Sequence, residues 1–175
     1  MGSMGEMISR LGLISVGMGE KQLAGIDAKV FARKARGEGG RVIDSNHPAF
    51  VFGHLALYPA GWLPMLGLDP GLCSKPAGFE DLFAAGKECR DDPDRTIYPS
   101  METITSAFFA THKPVLEAIA KVDDAVFARE NPREQSRARF PTIGFAMTFY
   151  VTSHMMLHFG QVSMWRRAYG LGSAM

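Results

Sequence analysis

At 175 residues the chain is one domain long and can bury a single core without disulfide or metal staples. Its 19 Lys and Arg against 18 Asp and Glu leave a formal charge of +1, which supplies no field for gathering nucleic acid or an anionic membrane surface. A hydrophobic fraction of 46% with 21% charged residues excludes a disordered chain, and 11 Met suit an adaptable, irregular core.

Cys73 and Cys89 form no CxxC pair, and no basic segment followed by a short apolar run and a cleavage site opens the chain. The expectation is a cytoplasmic protein with reduced thiols. Met1, Gly2, Ser3 and Met4 have the composition of a tag remnant ahead of a start at Met4.

In chain order, Met7, Leu11, Ile14 and Met18 recur at helical spacing and predict a first helix, although Gly12, Gly17 and Gly19 weaken it by roughly 1 kcal/mol each relative to Ala. Residues 26–41 turn basic, with Lys29, Arg33, Lys34, Arg36 and Arg41, and contain Gly37, Gly39 and Gly40. That reads as a fraying helix end and a loop, its charges a solvated face more readily than an anion site. Asp44, Ser45 and Asn46 offer N-caps for a second helix from about Pro48 to Leu66, with Pro48 in its first turn. Val51, His54, Leu55 and Tyr58 share one face of it, and Pro59 and Pro64 should bend or shorten its second half.

From Gly67 to Pro99 runs a long Gly/Pro-rich connection in which Phe79, Leu82 and Phe83 can form one short turn of helix. So long a connection is expected to pack across one end of the fold or to form a lid. Ser100 then caps a third helix, with Glu102 near its positive end, an inward stripe of Ile104, Phe108, Val115, Ile119 and Val122, and a kink at Pro114. After a polar break over residues 130–139, Thr142 can cap a last helix that runs to about Tyr169 and stops at Gly170, with Arg166 and Arg167 in its final turn. The prediction is an all-α single domain over residues 1–175: four helices, no strand, and the long connection between the second and third.

No Asp, Glu, Lys or Arg occurs from His47 to Leu68 or from Phe140 to Trp165. Each run could span a bilayer, which takes about 20 apolar residues. Yet the first contains His54, Pro59, Gly61 and Pro64, and the second Thr148, Thr152, Ser153, His154, His158, Gln161 and Ser163, a polar load that is costly in lipid. The expectation is instead two helices buried on more than one face, which in a bundle of four implies a homodimer interface as well as a core. No membrane and no nucleic acid are expected as partners.

These two helices carry three of the five histidines. His154 and His158 are four apart and project from one helical face about one turn from each other, close enough to share a cation. A single histidine on an apolar face is usually a hydrogen-bonded core residue, but His54 in the neighbouring uncharged helix supplies a third imidazole. Three neutral nitrogens leave coordination positions open, which is the pattern of a catalytic metal site rather than a structural one. Residue 155 is Met, so the HExxH zinc-protease pattern and its general-base Glu are missing. No nucleophile elbow, P-loop or dinucleotide fingerprint occurs.

The runs Gly53-His54-Leu55-Ala56 and His154-Met155-Met156-Leu157-His158-Phe159-Gly160-Gln161, followed by Arg166 and Arg167, resemble the DinB-like (YfiT-like) superfamily. In that family a helix-two histidine and a last-helix HxxxHxGQ motif bind a divalent metal in a four-helix bundle. The resemblance implies that His54, His154 and His158 are the ligands of Zn²⁺, or of Ni²⁺ or another first-row ion. It also implies chemistry of the family's kind, thiol S-transfer with glutathione, bacillithiol or mycothiol to a small electrophile. A divalent ion on three neutral histidines would bind a thiolate or acidify a water near neutral pH.

Around that site, Gln161 either hydrogen-bonds a ligand or fixes helix packing, and Tyr58 either donates to a metal-bound group or points elsewhere in the core. His112 falls beside the inward stripe of the third helix and suits a core or second-shell position more than ligation. His47 suits N-terminal capping or the surface. Two other readings stand beside the enzyme: a non-catalytic metal-binding or stress-associated protein, since neither uncharged run carries an acid or base carboxylate, and a structural bundle whose histidines satisfy one another.

Overall fold

The computed structural model describes residues 3–174, and among them it is all α-helical, with no strand. The helices are α1 (Met4–Gln22), α2 (Pro48–Ala56), α3 (Leu63–Leu66), α4 (Phe79–Phe83), α5 (Met101–Ile119), α6 (Asp124–Ala128), α7 (Glu134–Arg137), α8 (Ile143–Phe149) and α9 (Met155–Ala168). A π-helical turn, Tyr150–His154, joins α8 to α9 into one continuous rod. α1 packs on α5 and on the rod, and α2 packs on α5, α4 and α9.

The first helix forms where its spacing predicts, but the apolar stripe is not its buried face. Met7 is 53% and Ile14 61% exposed, whereas Gly5, Ile8, Ser9, Gly12, Ser15, Val16, Gly19 and Gln22 are buried. The cause is close backbone approach. A Cβ at Gly5 would stand 2.5 Å from the Ile119 carbonyl oxygen, one at Gly12 2.4 Å from a Leu116 methyl, and one at Gly19 2.5 Å from the Phe159 ring. Gly17 faces open space. Ser3, in the segment read as a tag remnant, caps this helix by accepting from the Glu6 N–H; Met1 and Gly2 lie outside the described residues.

The second helix is shorter than expected, and of its candidate caps it uses His47. None of Asp44, Ser45 and Asn46 caps it; the fully buried His47 does, its Nδ1 accepting from the Phe50 N–H at 3.1 Å while Nε2–H donates to the Arg90 carbonyl at 2.9 Å. Pro59 opens a 3-10 turn, Pro59–Gly61, and α3 ends at Gly67 in the left-handed conformation, so the prolines do divide the second half. Residues Pro48–Leu66 have the length and mean hydropathy, 1.3, of a membrane span, but 78% of that window is buried inside this chain. Every residue of α2 is buried in the same way. The lack of charge in α2 is therefore met by intramolecular packing, whereas the second uncharged run leaves Phe145 and Leu157 exposed.

The long connection packs rather than hangs free. Phe83 lies against Gly53, where any Cβ would approach its ring to 2.6 Å, and stacks with Tyr98 at 5.4 Å. The buried Asp92 carboxylate accepts the backbone N–H groups of Thr96, Ile97 and Tyr98, building the turn from within. Asp91 holds the basic stretch: Arg33 grips it at 2.8 Å and Arg36 at 3.3 Å, while Lys34 pairs with Asp44 at 2.7 Å. The Arg33 hydrogen bond keeps the Asp91 carboxyl below its usual range.

Ser100 caps α5 as expected, and the helix buries Ile104, Phe108, Thr111, His112, Val115, Leu116 and Ile119 while running without a break through Pro114. Thr142 caps α8, and Gly170 in the left-handed conformation follows the end of α9. Arg166 does more than sit near the helix C-terminus: it is buried and donates to the Gln22 and Ala24 carbonyls at 2.8 and 2.6 Å, closing the end of α1.

These contacts set opposite signs for two glycines of α1. Gly5→Ala forces α1 off the carbonyl of Ile119 and should lower stability by about 1–3 kcal/mol, whereas Gly17→Ala removes backbone entropy without a clash and should raise it by about 0.5–1 kcal/mol. Paired urea unfolding curves measure both.

Candidate metal centre

His54 lies in the last turn of α2, His154 ends the π-helical turn, and His158 follows one turn into α9. A π turn holds one residue more than an α turn and is frequent at functional sites. Here it places Tyr150 and His154 on the side of the rod that faces α2, with ring centroids 5.7 Å apart.

One potential ligand nitrogen from each of His54, His154 and His158 falls within 4.8 Å of the other two, the group with metal-ligand spacing among the described residues. The Nε2 atoms of His154 and His158 are 3.2 Å apart. Two nitrogens held at about 2.0–2.1 Å by one tetrahedral zinc stand roughly 3.3 Å apart, so this pair already has ligand spacing. His54 is 7% exposed, and the other two are half-buried.

The far nitrogens set the tautomers. His54 Nδ1–H donates to the Phe83 carbonyl at 2.8 Å, and His158 Nδ1–H donates to Gln161 Oε1 at 3.2 Å. Asn46 Nδ2 donates to that same Gln161 oxygen at 3.1 Å. With both Nδ1 protons committed outward, the Nε2 lone pairs of His54 and His158 face the centre, the usual outer-sphere arrangement of metal-ligating histidines. Tyr58 donates its hydroxyl to His54 Nε2 at 3.1 Å, so it faces the cluster and not another part of the core. Burial raises its phenol above the ordinary value and keeps it protonated.

Burial also holds the imidazoles neutral. His154 is pushed down to about 3, first by burial and then by the proximity of His158, His54 and His112. Burial is the leading cause of lower values at His54 and His158 as well. Neutral imidazole is the form that coordinates a cation, so protons compete weakly at this site near pH 7.

His112 stands apart from the three. It is buried on α5, its Nδ1–H donates to the Phe108 carbonyl at 2.9 Å, and its Nε2 has no partner. It touches no ligand nitrogen by hydrogen bond, so the second-shell expectation narrows to a core position against Phe108 and Trp62. Asn46, the Phe83 carbonyl, Tyr150 and Arg133 were not legible as site groups. A backbone acceptor leaves no trace in sequence, and Asn46 resembles a helix cap.

A cavity of about 210 Å³ opens beside the cluster, lined by His54, Tyr58, Gly61, Lys75, Glu80 and Arg133 among others. A larger one, about 320 Å³, lies against Asp92, Asp94, Arg95 and Tyr98 and contains none of the histidines. The chemistry belongs with the smaller cavity, because His54 and Tyr58 line it and connect it to the other two imidazoles. No family model, curated protein or solved structure matches the chain.

All five histidines are held below 6.5, with His47 and His112 at about 4. The unfolded chain therefore takes up protons first as pH falls, so stability is complete above about pH 6.5 and is lost progressively toward pH 4. His47 and His112 account for roughly 3 kcal/mol each across that window. Urea unfolding of the metal-free protein from pH 7.5 to 4.5 should show the decline, and His47→Asn, which retains a capping acceptor, should make it shallower.

Proposed function

We propose that the chain is a DinB-like four-helix bundle, with α1, α2, α5 and the α8–α9 rod as its four members, in which His54, His154 and His158 hold a divalent ion. Zinc is the first choice, and nickel or another first-row ion the next. The observation that carries this reading is the convergence of three neutral imidazoles on one point, two of them locked in the ligating tautomer, beside an open cavity.

The activity proposed is metal-dependent thiol S-transfer to a small electrophile. A divalent ion in such a site supplies a thiolate or a hydroxide as nucleophile near neutral pH. The chain's own groups do the rest. Gln161 and the Phe83 carbonyl orient the His158 and His54 rings, and the protonated Tyr58 hydroxyl, which would be released from His54 Nε2 when that nitrogen ligates an ion, stands at the cavity wall as a donor to an oxygen on the electrophile. Cys73 and Cys89 are free, and burial raises both thiols, Cys89 to about 11, which disfavours either as the nucleophile. A cytoplasmic setting, where both stay reduced, is part of the proposal.

One observation favours a non-catalytic metal-binding or stress-associated protein of the same fold. Glu80, the carboxylate among the cavity residues, is paired with Lys75 and so is engaged rather than free to act as a base. Assay of an electrophile such as chlorodinitrobenzene with glutathione, bacillithiol or mycothiol separates the two. The enzyme reading predicts turnover that a chelator removes and His158→Ala abolishes in a folded protein. Metal binding with no turnover across that panel supports the alternative. Gln161→Ala, which releases His158 Nδ1, should weaken metal affinity about 10- to 100-fold in a competition titration.

The homodimer is retained as a proposal on a different surface, the outward face of α1. Met7, Leu11 and Ile14 are exposed there, and an antiparallel pairing of two copies sets Met7 opposite Met18 and Leu11 opposite Ile14. The same pairing brings the exposed Glu6 of each copy to the Lys21 end of the other. Light scattering should give a dimer for the native chain and a monomer for Ile14→Glu; a monomeric native chain would overturn it.

A further inference from the structure

We infer that Arg133 is the anchor for a carboxylate on the small molecule that enters the histidine cavity. This rests on the cavity being the reaction site, as proposed above.

The guanidinium lies on the cavity wall shared with His54 and Tyr58. It stacks over the Tyr150 ring at 5.8 Å, and Tyr150 in turn meets Tyr58 at 5.6 Å and His154 at 5.7 Å. One Nη2–H is used, donating to the Gly61 carbonyl at 3.3 Å. Among the described residues no carboxylate lies within ion-pair distance of Arg133, although Lys75, the other cation lining the cavity, is matched. Lys75 pairs with Glu80 on the same cavity, and Arg137, at the end of α7, pairs with Glu130 at 2.9 Å.

The position is built rather than incidental. Asn131, fully buried, donates from Nδ2 to the Phe140 carbonyl at 2.9 Å and to Ser136 Oγ at 3.1 Å, and its Oδ1 accepts the Arg133 N–H at 3.0 Å. The loop after α6 is thereby fixed around one side chain, with Arg133 projecting from it. Opposite, residue 61 has no Cβ; one placed there would stand 2.9 Å from Arg133 Nη2. A planar fork with unused N–H donors, half-buried and stacked on an aromatic ring, suits a carboxylate, which it can grip through two parallel hydrogen bonds. The occupant is thus a carboxylate-bearing small molecule whose far end reaches the three imidazoles.

The test compares thioglycolate and mercaptohexanoate, each with its neutral methyl ester, titrated into cobalt-loaded protein and followed by the cobalt absorption spectrum. At one or both chain lengths the acid should bind at least about 10-fold tighter than its ester. Arg133→Met should equalise acid and ester while leaving ester affinity unchanged, and Arg133→Lys should keep part of the preference. Gly61→Ala, which displaces only the mobile end of the arginine, should reduce the preference in a chain that still folds. Equal binding of acid and ester at both lengths in the native protein, or a preference that survives Arg133→Met, would overturn the inference. Should cobalt give no ligand-field spectrum, the metal reading fails by itself. The same four ligands, titrated into metal-free protein and followed by amide chemical shifts, then decide the Arg133 question with the same outcomes.

Discussion

A buried imidazole has two ring nitrogens to satisfy and, at neutral pH, no charge with which to attract partners. Much of the architecture follows from how that demand is met. His47 spends one nitrogen on the start of α2 and the other on the Arg90 carbonyl, which ties the long connection to the core. His54 spends Nδ1 on the Phe83 carbonyl, which requires α4 to lie against Gly53. His158 spends Nδ1 on Gln161, which Asn46 holds from the segment before α2. What remains is inward-facing Nε2 atoms in a site without a charged ligand. Within the chain they are met by the Tyr58 hydroxyl and by one another, and the metal proposal rests on their convergence at ligand spacing rather than on a missing partner.

The second constraint is the close approach of α1. Glycines at 5, 12 and 19 put its backbone against α5 and α9, turning the small-residue face inward and the Met7, Leu11 and Ile14 face outward. Arg166 then closes the end of α1 from the last helix, two turns beyond His158 and on the same rod. The helix that carries two of the imidazoles is therefore positioned by backbone contact at one end and by charge-assisted hydrogen bonds at the other. Sites on such rigid elements hold their geometry better than sites on loops.

Much of the candidate site was legible in sequence because its signal is chemical and local. Histidines four apart in a run without charges, with a third histidine in the other uncharged run, mark the cluster, and Gln161 and Tyr58 lie one turn from their partners. The stripe of α5 was legible because that helix buries its large apolar face. α1 was not, because hydrophobic periodicity weighs Met and Ile above Gly, whereas backbone contact reverses the order. Of the cap candidates at α2, Asp44 is drawn to Lys34 and Asn46 to Gln161, leaving His47 to accept the helix N–H. The π turn shifts the phase of the rod by one residue in five, too little for a 3.6-residue pattern to register. Arg133 lay in a polar break whose order depends on Asn131, a contact set by side-chain geometry rather than by spacing.

The most direct test of the account is the metal content of protein purified without an affinity-metal step, for the native chain and for His54→Ala, His154→Ala and His158→Ala matched in folding by circular dichroism. The account predicts close to one divalent ion per chain in the native protein, retained through gel filtration, and loss of it in all three variants. A native protein that stays metal-free after incubation with zinc, nickel, manganese and iron, or variants that keep the ion, would contradict it.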